Sequence, residues 1–170
     1  RRGTPGWSEV VVSPLPPLTP LITFSELVGP EDNPMGVMTV ALELTTLNHL
    51  LRHHNLGDEG EYFLVDRQGG LLATSLATSD ENRELFLDEI KQNRSAQDSQ
   101  FSTIAQVSAG VQAKMGSWQG VNESERLTLS LNDIPHFVTI TPFQMDGGVD
   151  WVLVTTIPQS QFLGHLEASS

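Results

Sequence analysis

The 170-residue sequence contains no cysteine, which excludes disulfide frameworks, thiolate nucleophiles and cysteine-ligated zinc, and is compatible with an oxidising compartment. It is also poor in positive charge: 9 Lys and Arg stand against 21 Asp and Glu, for a formal net charge of −12. Nucleic-acid binding rests largely on cationic side chains that neutralise phosphates, so DNA and RNA are excluded as partners. Long apolar runs are missing as well. The longest candidates, Trp151–Ile157 and the proline-broken Leu15–Ile22, fall short of the roughly 20 residues of a membrane span. No Gly-x-Ser-x-Gly elbow, Walker loop or Gly-x-Gly-x-x-Gly fingerprint occurs, so a hydrolase is the least favoured reading and no enzyme activity or cofactor is expected. What is present is a 38% apolar composition, enough for a core, at a length that suits one domain or one domain with a fragment of another. The chain opens on Arg1-Arg2 rather than Met and shows no signal-peptide pattern, which predicts a piece of a larger protein.

Prolines 5, 14, 16, 17, 20 and 30 crowd the first 34 residues, and Pro34 closes the stretch. Each removes a ladder donor, so only short or edge strands are expected there, over Glu9–Ser13 and Ile22–Leu27. Met35–Leu44 suits a strand. A helix follows, capped by Thr45, with Leu44, Leu47, Leu50, Leu51 and His54 on one side and Gly57 as the stop. Tyr62–Asp66 and Leu71–Thr74 flank Arg67-Gln68-Gly69-Gly70, the pattern of a β-hairpin with glycines at positive φ. Thr78 and Glu81 form a capping box for a helix to about Gln92, and apolar residues from Phe101 to Met115 keep helical spacing up to Gly116. Three antiparallel strands are predicted around Leu127–Leu131, Phe137–Thr141 and Trp151–Ile157, with Pro158 in the first turn of a terminal helix. The fold class is α+β, a helix-covered antiparallel sheet without internal repeats.

His49 and His53 stand four apart on the first helix, a spacing that suits two metal ligands. Leu50 occupies the place of a zinc protease's general base, and the pair lies opposite the leucine stripe, so a solvated face accounts for it and no metal is expected. The acids Asp58, Glu59 and Glu61, and the group Asp80, Glu81, Glu84, Asp88 and Glu89, read as solvated faces; the second group opens a helix, where acids favour the dipole. Asp146 and Asp150 flank a glycine loop and serve the turn.

Longer strings carry more. Gly36-Val37-Met38-Thr39-Val40-Ala41-Leu42-Glu43-Leu44 is followed by Leu47 and Leu50-Leu51, and then by Gly60-Glu61-Tyr62-Phe63-Leu64-Val65-Asp66-Arg67-Gln68-Gly69-Gly70-Leu71-Leu72-Ala73-Thr74-Ser75. Together they resemble the Cache family of extracytoplasmic, PAS-like sensor domains. Arg94-Ser95-Ala96-Gln97-Asp98-Ser99, Ile140-Thr141-Pro142-Phe143, Gly148-Val149-Asp150-Trp151-Val152-Leu153-Val154 and Ile157-Pro158-Gln159-Ser160-Gln161-Phe162 are similar to double Cache sensors of bacterial histidine kinases and nucleotide cyclases. The resemblance spans about residues 36 to 166 and keeps its order. It implies residues 1–44 as the end or remnant of a membrane-distal module, with Trp7 near its closing strands. Residues 45–170 would be the membrane-proximal module, whose C-terminal helix leads towards the membrane.

By the same resemblance, the setting is the extracytoplasmic, periplasmic part of a membrane-anchored protein that is a homodimer at full length. The function would be to bind a small molecule and relay a signal to a cytoplasmic output domain. Amino-acid-binding members use an Arg/Trp/Tyr/Asp set. Here Ala41 stands at the Asp position and Val10-Val11-Val12 where the tyrosine strand is expected, leaving only Trp7 and Arg2. A standard amino-acid pocket is therefore not expected. Instead, Arg94 suits an anionic ligand group, because its planar fork donates two bonds at once; the alternative is an ion pair to Asp98 or Glu89. Tyr62, Thr74, Ser75 and His136 are candidates for the pocket or its rim, and Trp118 and Trp151 are weighed for ligand stacking against core packing. The rival reading is a ligand-free structural or dimerisation relay module of the same fold.

Overall fold

The computed structural model describes residues 6–8, 10–13, 19–53 and 60–168. Thirteen elements follow in order: β1 (Gly6–Trp7), β2 (Val11–Val12), β3 (Pro20–Val28), β4 (Gly36–Glu43), α1 (Leu44–His53), β5 (Glu61–Asp66), β6 (Leu71–Thr74), α2 (Asp80–Lys91), α3 (Ser102–Met115), β7 (Glu125–Leu131), β8 (Ile134–Met145), β9 (Val149–Pro158) and α4 (Gln159–Ala168). From β4 onward this is the predicted order of strand, helix, two strands, helices and three strands. Arg2, Glu9, His54, Gly57, Asp58 and Glu59, which carry expectations above, lie outside the described residues.

The strands form two antiparallel sheets. In the first, β3 pairs with β1 and β2 along one edge and with β4 along the other. β3 is longer than predicted and lies inside its sheet rather than at an edge. Pro20 stands at its first residue, and the following eight residues carry no proline to interrupt the ladder. The second sheet has the order β6-β5-β9-β8-β7. A backbone hydrogen bond from Trp7 to the Gly147 carbonyl, 3.0 Å long, ties the first sheet to the β8–β9 turn of the second. That turn runs through Gly147 and Gly148, at φ +89 and +96.

Both faces of the second sheet are covered. On one, Phe63, Val65, Val138, Ile140, Val152 and Val154 pack against Phe86 and Ile90 of α2 and Ile104, Val107 and Val111 of α3. On the other, Leu47 of α1 packs with Trp151 and Leu153 on Leu64, Leu72 and Ala73. Asn48 adds a polar pin to α1, its side-chain oxygen accepting the Thr74 amide at 2.6 Å.

The helix boundaries depart from prediction in small, explicable ways. α1 begins at Leu44, which is fully buried, so Thr45 lies inside the first turn instead of capping it. α2 is capped by Ser79, whose hydroxyl accepts the Asn82 amide at 3.2 Å, so the Thr78–Glu81 box is one residue out of step. Pro158 ends β9 opposite His136, and α4 starts one residue later. α3 does end at Gly116, at φ +80. Among the described residues, no helix is long and apolar enough to cross a membrane.

Candidate ligand cleft

The β5–β6 turn is built by its own side chains. One oxygen of Asp66 accepts the amides of Gln68 at 2.9 Å and Gly70 at 2.8 Å. Gly69 sits at φ +88, and a Cβ there would lie 3.0 Å from Trp118 Nε1. Gly70, predicted at positive φ, is not among the positive-φ glycines; its bare Cα leaves room for Asp66, since a Cβ would meet Asp66 Oδ2 at 2.7 Å. The turn then receives a second segment. Ala96 donates its amide to the Gly69 carbonyl at 2.7 Å, and Ser95 bridges Gly70.

Two adjoining hollows open around this turn. The smaller, about 250 Å³, lies between the turn and the end of α2 and is lined by Asp66, Glu89 and Arg94. The larger, about 730 Å³, lies between the two sheets and is lined by Trp7, Ile22, Asp66, Arg67, Asp150 and Trp151. Val10, Asp66, Gln68, Leu72 and Asn93 border both, so the hollows form one cleft.

The charges in the cleft are not evenly matched. Arg67 is committed: Nε donates to Asp150 at 2.9 Å, and Nη1 to the carbonyls of Trp118 at 2.8 Å and Val121 at 2.6 Å. A hydrogen bond from Gln144, together with Arg67, holds the Asp150 carboxyl below its ordinary value, against a smaller opposing effect of burial. Arg94 differs. Its Nε and Nη2 both donate to the neutral amide oxygen of Gln92, at 3.0 and 2.8 Å. The ion pair weighed for it is not formed, because both carboxylates are engaged elsewhere. Asp98 accepts the Ser95 hydroxyl at 2.9 Å, and Glu89 accepts the Ser99 hydroxyl and the Gln100 amide. Among the described residues, Arg94 has no carboxylate partner. Glu89 itself was expected on a solvated face and is instead 2% exposed.

The six residues singled out from sequence do not converge. Only Arg94 lines the cleft. Thr74 and Ser75 are buried and latch a strand end: Thr74 Oγ1 accepts the Leu76 amide, and the Ser75 hydroxyl accepts the Tyr62 amide at 2.8 Å. Tyr62 is buried, which raises its phenol above the ordinary value. Trp118 belongs to the core, and His136 lies on β8 with Nδ1 2.8 Å from the Ile134 carbonyl. Sequence reasoning missed Asp66, whose signal was available in the Asp-x-x-Gly-Gly turn. It also missed Asp150, which only the packing of the two sheets brings to the cleft, while Trp151, weighed for stacking against packing, both packs beside Leu64 and Leu72 and lines the cleft. No group of three metal-ligating side chains occurs among the described residues.

No protein-family model and no curated protein matches the chain. Solved structures do. The ligand-binding domain of the Pseudomonas aeruginosa amino-acid chemoreceptor PctB, in complex with L-arginine, aligns at TM-score 0.57 and 15% identity, covering 94% of this chain and 56% of that one. The extracellular domain of a histidine kinase aligns at TM-score 0.58 and 12% identity, covering 97% and 53%. The ligand-binding domain of the Pseudomonas fluorescens chemoreceptor CtaA, in complex with L-isoleucine, aligns at 0.58 and 16%, covering 95% and 55%.

The chain shares the α+β fold of these domains, antiparallel sheets flanked by helices, which is the fold that the Cache resemblance implied. It spans about half the length of these structures. The cleft lies where the β5–β6 turn meets the first sheet on one side and the end of α2 on the other, while the space between the middle of the second sheet and α2 and α3 is filled by apolar side chains.

Proposed function

We propose that this chain is the ligand-binding part of an extracytoplasmic sensor and that its ligand is a small molecule with an anionic group, bound in the cleft beside Arg94. The observation that carries this reading is the Arg94 guanidinium, which faces a hollow with only a neutral amide as its partner. A guanidinium so placed can still donate a forked pair of bonds to a carboxylate or phosphate. Asp66, which lines the same hollow, would select a ligand that also carries donors. That the structural neighbours are sensor domains supports the same reading.

In this reading residues 1–44 end a membrane-distal module, residues 45–170 form the membrane-proximal one, and the parent protein is membrane-anchored and homodimeric. β5 carries the turn that meets the ligand and pairs with β9 from Glu61–Thr156 to Asp66–Trp151; β9 runs directly into α4. A ligand that binds one packing of the turn more tightly than another shifts the population of the two, and β9 passes the difference to α4. No bond is made or broken.

The relay module without a ligand is favoured by two specific departures, Ala41 and the Val10–Val12 run, at positions where amino-acid sensors of this resemblance carry Asp and Tyr. Thermal-shift measurements against organic acids, amino acids and divalent cations separate the two. A dose-dependent rise in melting temperature that is lost in Arg94→Ala supports the sensor. A flat response across the panel overturns it in favour of the relay.

A further inference from the structure

Two tryptophans, one from each sheet, line the larger hollow of the cleft: Trp7 on β1 and Trp151 on β9. Each is backed by the phenylalanine that pairs with it across the strands. Trp7 meets Phe24 of β3 with ring centroids 5.4 Å apart, and Trp151 meets Phe143 of β8 at 6.1 Å with the two planes 14° apart. An indole held from behind by a second ring loses side-chain freedom before any ligand arrives. Gly147 brings the two walls together. Its carbonyl accepts the Trp7 amide at 3.0 Å, and a Cβ on it would come within 2.7 Å of the Phe24 ring, so the approach of the first sheet to the β8–β9 turn needs glycine there.

Val10, Ile22, Leu72 and Val149 add apolar surface to the same hollow. Arg67, the cation among the described residues that line it, is already held by Asp150 and two carbonyls. The larger hollow therefore offers flat apolar walls and no free positive charge. The adjoining smaller hollow offers the reverse, the Arg94 guanidinium with a neutral partner. Val10 and Leu72 border both, so apolar side chains join the two. A small inorganic anion beside Arg94 would leave about 730 Å³ of tryptophan-lined space to water, whereas a ligand with an apolar ring would fill it.

We propose that the ligand is an aromatic carboxylate, its anionic group beside Arg94 and its ring in the larger hollow against Trp7 and Trp151. This names the ligand class of the cleft and rests on the reading of that cleft given above.

The test titrates acetate, phenylacetate and naphthylacetate, which share one carboxylate and differ in the ring, into the nitrogen-labelled whole chain. The dissociation constant should fall by at least about tenfold from acetate to phenylacetate and fall again for naphthylacetate. The indole N–H signals of Trp7 and Trp151 should shift saturably with the two ring compounds and not with acetate, while that of Trp118, in the core, stays in place. Trp151→Leu keeps apolar bulk without the flat face and should level the series. Trp7→Leu, on a strand of 2 residues at the edge of the first sheet, should do the same independently. Arg94→Ala should weaken binding of all three compounds. Equal affinity for the three, or indole signals of Trp7 and Trp151 that stay still at saturation, overturns the inference and leaves the anion site standing. No saturable shift with any of the three overturns both.

Discussion

Arg67 reaches from the β5–β6 turn to Asp150 at the start of β9, its Nε 2.9 Å from a carboxylate oxygen. The two ends of this contact are unequal: the Arg67 side chain is 11% exposed and that of Asp150 51%. The buried end matters more, because Nη1 also satisfies the carbonyls of Trp118 and Val121, where the chain leaves α3 for β7. Arg67 therefore ties the turn, the 118–121 segment and the wall of the cleft into one unit.

Replacing Arg67 by Ala should destabilise the chain by about 2–4 kcal/mol, because two part-buried carbonyls lose a charged donor. Lys in its place should recover only part of the loss, since one ammonium cannot reproduce a fork that serves three acceptors. Urea denaturation midpoints of the two variants check this.

The carboxylate side predicts a pH effect. Asp150 has a folded-state pKa below its unfolded value, so its contribution is present above the unfolded value and is lost as pH falls through the folded one. Its exposure keeps the effect to that of a surface pair, about 0.5 kcal/mol. Melting curves of Asp150→Asn should therefore show a slightly shallower loss of stability on acidification than the parent chain, with little difference in the slope near neutral pH.

Glu89 supplies a sharper contrast. It is 2% exposed and serves the Ser99 hydroxyl and the Gln100 amide, which shape the loop after Arg94. Glu89→Ala should cost about 2–4 kcal/mol by leaving both donors without an acceptor. Glu89→Gln should cost less, because its amide oxygen can still accept from one of them. Thermal unfolding of both variants measures the difference.

How much of this was legible in the sequence depended on the range of the interactions involved. The β5–β6 hairpin and the end of α3 were readable because Asp66, Gly69 and Gly116 act within a few residues of themselves. The partners of β5 were not: its pairing with β9 joins Glu61 to Thr156, and nothing in either segment alone specifies the other. Arg94 was readable as a candidate by its chemistry. That its carboxylate neighbours are engaged elsewhere followed only from the fold, since Glu89 is buried by the 99–101 loop rather than exposed by its helix. Tyr62, Thr74 and Ser75 looked like site residues because they are polar on a hairpin, yet their amides and hydroxyls close the strand end on itself and on Asn48.

In the function proposed above, a small anionic ligand sits between the β5–β6 turn and the segment that carries Arg94. Amide chemical shifts of the nitrogen-labelled chain, followed while amino acids and dicarboxylates are titrated in, test it directly. Saturable shifts concentrated at Asp66–Leu72 and Asn93–Ser95, absent in Arg94→Ala, are expected. Saturable shifts confined to the β7–β8 hairpin, or no shift with any member of the panel at millimolar concentration, would contradict it.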